Sequence, residues 1–306
     1  MIRFLLSRLL LACAVAVAVS IAAFALLHAL GDPAIAIAGD GATSRDIAAV
    51  RVRYGFDRPL PVQYMEWIGH VVRGDFGESF YYHRPVRELI TEHLPTTLKL
   101  GGSSILFALA LAFPLGMAAA IRPNSWIDRL CLGLAVFGQA MPSFWLGLLL
   151  ILTFSVRFPW LPASGSGTWL HFIMPVIVLG YYATPALMRL TRAGLMEVLE
   201  SDYIRTAKAK GMLPFTILIK HALRNALIPV VSLAAVQFGF MLSGSIVTET
   251  VFALNGLGYL AWGAISRADL PVVQMIILTF SVFYIFLTLA ADLLNAWLDP
   301  RIRATK

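Results

Sequence analysis

Charged residues are scarce in this chain. Only 13% of its 306 residues are Asp, Glu, Lys or Arg, while 59% are apolar. A soluble globule of this length needs more polar surface than that, so the composition excludes a soluble enzyme and a disordered tail. Cysteine is nearly absent. Cys13 and Cys131 each sit within an apolar run, which excludes a disulfide-stapled module and reads as two small buried hydrophobes.

Several catalytic signatures are missing as well. The sequence holds no Gly-Lys dipeptide, and so no phosphate loop; it has no His-Glu-x-x-His zinc motif and no Gly-x-Ser-x-Gly elbow. Its long apolar runs contain no carboxylate pair, no arginine ladder and no proton relay, the usual marks of ion-coupled carriers, pumps and voltage sensors. His28 and His171 fall near span ends and read as interfacial or packed residues rather than ligands. Trp160, Trp169, Trp262 and Trp297 read as interfacial anchors.

What is present is a set of six charge-free windows: 9–31, 100–121, 130–156, 158–188, 225–248 and 270–291. A bilayer core needs about 20 helical residues, and each window is long enough. Pro159, Pro162 and the Gly/Ser run at 164–167 mark a loop, so the fourth helix is expected from near Leu170 to near Met188. The first window follows Arg3 and Arg8 in the manner of a signal peptide, but its largely apolar stretch of 23 residues exceeds an ordinary signal core of about 7–15; retention as a first helix is the better reading. The fold class expected is an all-α integral membrane protein with six transmembrane helices.

Lys and Arg divide unevenly between the two sides of such a bundle. Fourteen fall on the side of the N-terminus, the 122–129 hairpin, the 189–224 segment and the tail, against ten on the other. The positive-inside rule places the first side, and both termini, in the cytoplasm. The basic excess then needs no nucleic acid.

Four regions follow: a first transmembrane helix at 1–31, an extracytoplasmic helical lobe at 32–97, a core of five transmembrane helices at 98–296 including a cytoplasmic segment at 194–228, and a tail at 297–306. In the lobe, Thr43 or Ser44 caps a helix to about Arg53, Pro61 opens a helix over Val62–Arg73, and a third helix over Pro85–Leu94 stops at Pro95. Pro142, Pro175 and Pro185 lie inside spans and predict kinks. Gln139, Ser143, Gln237, Ser243 and Ser245 are polar residues within the third and fifth helices. They serve either as interhelical hydrogen-bonding groups or as a solute path. Glu249–Pro271, with Asn255, Gly256 and Gly258, is either a shaped contact loop or a simple connector.

The segment after Glu200-Ser201-Asp202 is the most informative. Acids open a helix whose last turn holds Lys208 and Lys210, and Gly211 stops it. Pro214 opens a second, basic helix. By physics alone this is either a docking device with an Ala-rich face or an amphipathic helix resting on anionic headgroups.

Tyr203-Ile204-Arg205-Thr206-Ala207-Lys208-Ala209-Lys210-Gly211, followed by His221-Ala222-Leu223-Arg224-Asn225-Ala226-Leu227-Ile228-Pro229, resembles the loop by which ABC importer permeases contact their ATPases. The general pattern there is Glu-Ala-Ala, three residues, Gly, then Ile-x-Leu-Pro. Here Arg205, Thr206 and Ala207 hold the first three positions, and Pro229 lies 18 residues after Gly211. Both departures match the dipeptide/oligopeptide branch. Arg53–Leu60, Gly74–Ser79, Leu94–Leu98, Met141–Trp145, Gly256–Gly258 and Asp292–Arg303 resemble that branch too, so the likeness runs along nearly the whole chain.

This resemblance implies a type I ABC importer transmembrane domain, coupled to its ATPases through Tyr203, Arg205, Thr206, Ala207, Lys210, Gly211 and Pro229. It implies a path that Gln139, Ser143, Gln237 and Ser243 are candidates to line, and a binding-protein contact at Asn255, Gly256 and Gly258. The implied partners are a second homologous permease, two cytoplasmic ATPases and an extracytoplasmic solute-binding protein, in the cytoplasmic (inner) membrane. No cofactor or metal is expected on this chain, ATP and Mg belonging to the ATPases. An ion-coupled carrier or channel subunit is the alternative.

Overall fold

A computed structural model describes residues 2–29, 32–39 and 41–298. The expected tail beyond residue 298, and the side chains of His28 and Trp297, lie outside the described residues. Among those described, regular structure is helical apart from one bridge, Glu78 to Pro85.

Five helices are long and apolar enough to cross a membrane, and a shorter apolar helical stretch covers Ser143–Arg157. α1 (Ile2–Ala29) is the first crossing. Three short helices follow: α2 (Pro33–Ala38), α3 (Ser44–Arg53) and α4 (Leu60–Val72). α3 starts where the sequence places it, because Thr43 and Asp46 form a reciprocal capping box. α2 was not anticipated; Asp32 caps it by accepting from Ala34 N–H.

The second crossing differs from expectation. Pro95 does not stop the lobe's third helix. α5 runs unbroken from Val86 to Ile121 through Pro95 and Pro114. Pro95 frees the Thr91 carbonyl, and Thr91 is exposed at the outer end, where water can replace the lost bond.

The third crossing also departs from a single helix. α6 (Trp126–Ala140) ends at Met141, and α7 (Ser143–Ile151) restarts after Pro142, continuing as a π-helical turn over Leu152–Arg157. Pro142 thus breaks the crossing outright, whereas Pro175 and Pro185 are absorbed within α8 (Leu170–Leu199). α8 begins at the expected Leu170 and extends beyond Met188 toward the cytoplasmic segment.

That segment is α9 (Asp202–Ala209), then α10 (Pro214–Thr216) and a π-helical stretch (Ile217–Leu223) leading into α11 (Arg224–Val251), the fifth crossing. The expected outer loop is largely a helix, α12 (Leu257–Ser266), and α13 (Leu270–Leu298) is the sixth crossing.

Small residues bring the crossings together. Along α5, Ser104, Ala108, Ala112, Gly116 and Ala119 form one buried stripe against α8. A Cβ on Gly180 would lie 2.6 Å from the Ser104 carbonyl oxygen, and one on Gly116 would lie 2.9 Å from Thr191 Cβ. Close backbone approach of this kind is how helices associate in lipid, where apolar burial supplies no drive. Cys131 is buried, as expected, but Cys13 is exposed on α1.

Candidate functional site

Between the fourth and fifth crossings, α9 is amphipathic. Ile204 and Ala207 are buried with Ala120, Leu195, Ile217, Ala222 and Ala226 in one apolar cluster. This cluster fixes α9 against the inner ends of α5 and α8 and the π-helical stretch before α11. Tyr203, Arg205, Thr206 and Lys210 lie on the exposed side. Ala207, expected to meet an ATPase, points into the chain itself; its small side chain lets α9 sit close to its own support. Arg205 pairs with Asp202 at 3.3 Å in the open, a bond of little stabilising weight.

Gly211 has φ +73° with nothing within 4 Å of a Cβ position. Its role is conformational: a left-handed residue ends the helix, and the Met212 N–H returns to the Ala207 carbonyl at 3.3 Å. The Tyr203 hydroxyl accepts from Asn225 Nδ2 at 2.8 Å and reaches the His221 carbonyl at 3.5 Å. Tyr203 therefore ties α9 to the entry of the fifth crossing. Pro229 is exposed inside α11, one turn beyond that link.

An ion pair between buried Asp128 and half-buried Arg192 stands nearby. Asp128, at the start of α6, accepts from Arg192 Nε at 2.7 Å and Nη2 at 2.6 Å. It also accepts from Asn124 N–H at 2.8 Å. The Arg192 guanidinium holds this carboxyl below the usual carboxylate range, against its burial. The pair locks the hairpin between α5 and α6 to α8.

The candidate path residues fall on two crossings. Gln139 is exposed and Ser143 half-buried on either side of the Pro142 break. Gln237 is half-buried and Ser243 exposed on α11, with the Ser243 hydroxyl donating to its own helix at Phe240 O, 3.2 Å away.

Between the fifth and sixth crossings, Asn255 is exposed but Gly256 and Gly258 are buried. The two glycines make room for Glu249, which is fully buried. Glu249 Oε1 accepts from the Thr97 hydroxyl at 2.8 Å, and Oε2 accepts from Tyr259 N–H at 3.0 Å. Thr97 Oγ1 accepts in turn from Leu257 N–H at 2.7 Å. The first turn of α12, opened by a glycine with no side chain, is capped by residues from α5 and α11 instead. Of the three residues assigned to a binding-protein contact, only Asn255 presents a side chain outward.

A second carboxylate works the same way. Asp269 is buried between α12 and α13 and accepts from the Ser79 hydroxyl, from Phe80 N–H at 3.1 Å and from Tyr81 N–H at 3.4 Å. Arg267 lies 4.1 Å from the Tyr81 ring centroid. The segment between the first two crossings is thereby latched to the start of the sixth. Sequence reasoning missed both carboxylates. Glu249 had one usable signal: it directly follows an apolar span and precedes a Gly-x-Gly by seven residues.

The family "Binding-protein-dependent transport system inner membrane component" matches residues 112–304, and its N-terminal companion matches residues 1–101. The glutathione transport system permease protein GsiC of Salmonella typhimurium is 43% identical over 304 residues, covering 99% of both chains. The protein of that name in Escherichia coli K12 is 42% identical over the same span. Among solved structures, a chain of the MetNI methionine ABC transporter in an inward-facing conformation aligns with TM-score 0.57 and 20% identity, covering 69% of this chain and 96% of that one; this likeness concerns the fold. The chain belongs to the binding-protein-dependent transport system inner membrane components, and is a multi-pass, non-catalytic permease subunit of an ABC importer whose ATP hydrolysis falls to separate subunits.

Proposed function

We propose that this chain forms half of the path of an importer for di- or oligopeptides or a related peptide-like solute such as glutathione. The observation that carries the solute class is end-to-end identity of 43% with a permease named for glutathione transport. Crossings without a charged residue over 22 positions or more fit solutes of varied charge, with selection left to an external binding protein.

The other half of the path is a second homologous permease. The exposed side of α9 docks on one of two cytoplasmic ATPases, which carry ATP and Mg; this chain carries no cofactor or metal. The outer surface around Asn255 and α12 receives the binding protein. The membrane is the cytoplasmic (inner) one, with both termini inside. Thiol labelling of intact cells should reach a cysteine placed at Ser44 and miss one placed at Thr305; the reverse would overturn that orientation.

The deciding experiment is co-purification with candidate ATPases, followed by ATP hydrolysis in the presence of the binding protein and candidate solutes. Stimulation by a peptide-loaded binding protein is expected. Capture without stimulation by any peptide would overturn the solute class.

A further inference from the structure

The break in the third crossing is the feature that membrane physics constrains most. α6 ends at Ala140, Met141 is extended (φ −87°, ψ 133°), and α7 begins at Ser143. Pro142 has no N–H to offer the carbonyl four residues back. Its own carbonyl accepts from Trp145 and Leu146 N–H at 3.0 and 3.1 Å. The N–H groups of Ser143 and Phe144 and the carbonyls of Gln139 and Ala140 find no hydrogen-bond partner among the described residues.

This stretch is not covered by the rest of the chain: Gln139, Ala140, Pro142 and Phe144 are exposed. Open backbone is not tolerated against hydrocarbon and occurs at membrane depth only inside protein or beside a water-filled cavity. The exposed break therefore does not face lipid.

Its neighbour shows which way it faces. α6 leans on α5 and α8, whereas α7 reaches across to α11. There Gly147 packs at 3.3 Å from Val251 and 3.2 Å from Phe252, measured from a Cβ position. The third and fifth crossings run in the same direction. Gln139 and Ser243 each lie eight residues before that contact; at about 1.5 Å per helical residue Ser243 is about 12 Å away, and the extended Met141 carries Gln139 to that depth or somewhat beyond. On α11, Phe240, Ser243, Gly244 and Val247 form one exposed face leading to Val251. Two uncovered surfaces thus meet at Gly147 and Val251 and part toward the cytoplasm.

We propose that the break in the third crossing lines the aqueous path, and that Gln139, the open backbone groups of residues 139–144 and Ser243 form a neutral hydrogen-bonding site for the main-chain amides of a peptide-like solute. Residues 130–156 hold no charge, so the site offers donors and acceptors without fixing the net charge of what passes. The inference rests on the reading of this chain as half of a peptide importer's path, since the second permease closes the cleft.

The test uses the complete transporter in nanodiscs, with Cys13 and Cys131 replaced by Ala and single changes Gln139→Cys, Ala140→Cys, Ser243→Cys and, on the exposed outer face of α5, Leu106→Cys. A charged, membrane-impermeant methanethiosulfonate should modify the first three about tenfold faster than Leu106→Cys, as a water-lined wall requires. A lipid-soluble maleimide confirms that every thiol is present. Excess dipeptide with the binding protein and ATP should slow modification at Gln139→Cys. Modification by the lipid-soluble reagent alone, in a complex that holds its ATPases and hydrolyses ATP, would overturn the site and leave the transporter reading standing. Water access without slowing by dipeptide would overturn the solute contact. Failure to retain the ATPases would overturn the reading on which the site rests. Pro142→Ala supplies an independent measure: it lets the two halves pair their backbone groups, and uptake should fall while assembly persists; unchanged uptake would overturn the proposal.

Discussion

Glu249 and Gly256 compete for the same space: a Cβ on Gly256 would lie 2.3 Å from Glu249 Oε2. The glycine is required by a buried carboxylate seven residues earlier, which caps the helix that the glycine opens. Gly256→Ala should push Glu249 from Thr97 and Tyr259. A buried polar group left without its partner costs about 1–3 kcal/mol, and thermal unfolding in detergent should register it. Asn255→Ala, on an exposed side chain, should leave unfolding unchanged.

Asp128 and Arg192 give a pH signature. The folded-state pKa of Asp128 is depressed, so its contribution is fully present above the ordinary carboxylate range and is lost as pH falls through the lowered value. Arg192→Ala leaves Asp128 buried and unpaired, at a cost of about 3 kcal/mol. The stability gap between wild type and Asp128→Asn should hold steady near neutral pH and close in acid. A gap that widens on acidification would contradict the pair's role.

Gly180 meets backbone rather than a side chain, at Ser104 O, so relief by a rotamer change is unavailable. Gly180→Val should separate α5 from α8 and cost about 1–3 kcal/mol or more. Expression and unfolding report it, and Gly102→Ala, with open space around it, is the matched control.

Ala207 and Arg205 separate support from docking. Ala207→Glu puts a charge into the cluster under α9, and should lower stability and abundance. Arg205→Glu changes only the exposed side, and should weaken ATPase co-purification at normal abundance. Gly211→Val adds strain of about 1 kcal/mol or more at a left-handed position without a clash, so it should misplace the π-helical stretch and reduce uptake more than stability. Equal abundance for all three variants would refute this division.

Much of the fold was legible because lipid and helix ends impose simple rules. Charge-free runs marked the crossings, and Thr43, Pro61 and Gly211 marked helix ends correctly. Pro95 and Pro142 exchanged their expected roles, since the consequence of a proline depends on what satisfies the freed carbonyl, and that partner is not written in the local sequence. Glu249 and Asp269 escaped notice because each works through residues about 150 to 190 positions away, contacts that only tertiary structure creates. The helix over Asp202–Ala209 was readable, but its supported face was not: Ala207 is buried against the chain's own cluster while Ala209 stays exposed.

The unbroken helix from Val86 to Ile121 makes the two sides of the membrane ends of one lever. At 36 residues it is about 54 Å long, so a tilt of about 10° pivoting at its inner end would sweep the outer tip by roughly 9 Å. That end is not idle: Ala120 packs in the same cluster as Ile204 and Ala207 of α9. A small displacement imposed there would arrive magnified at the outer lobe, and the Asp269 latch would carry it on to the sixth crossing.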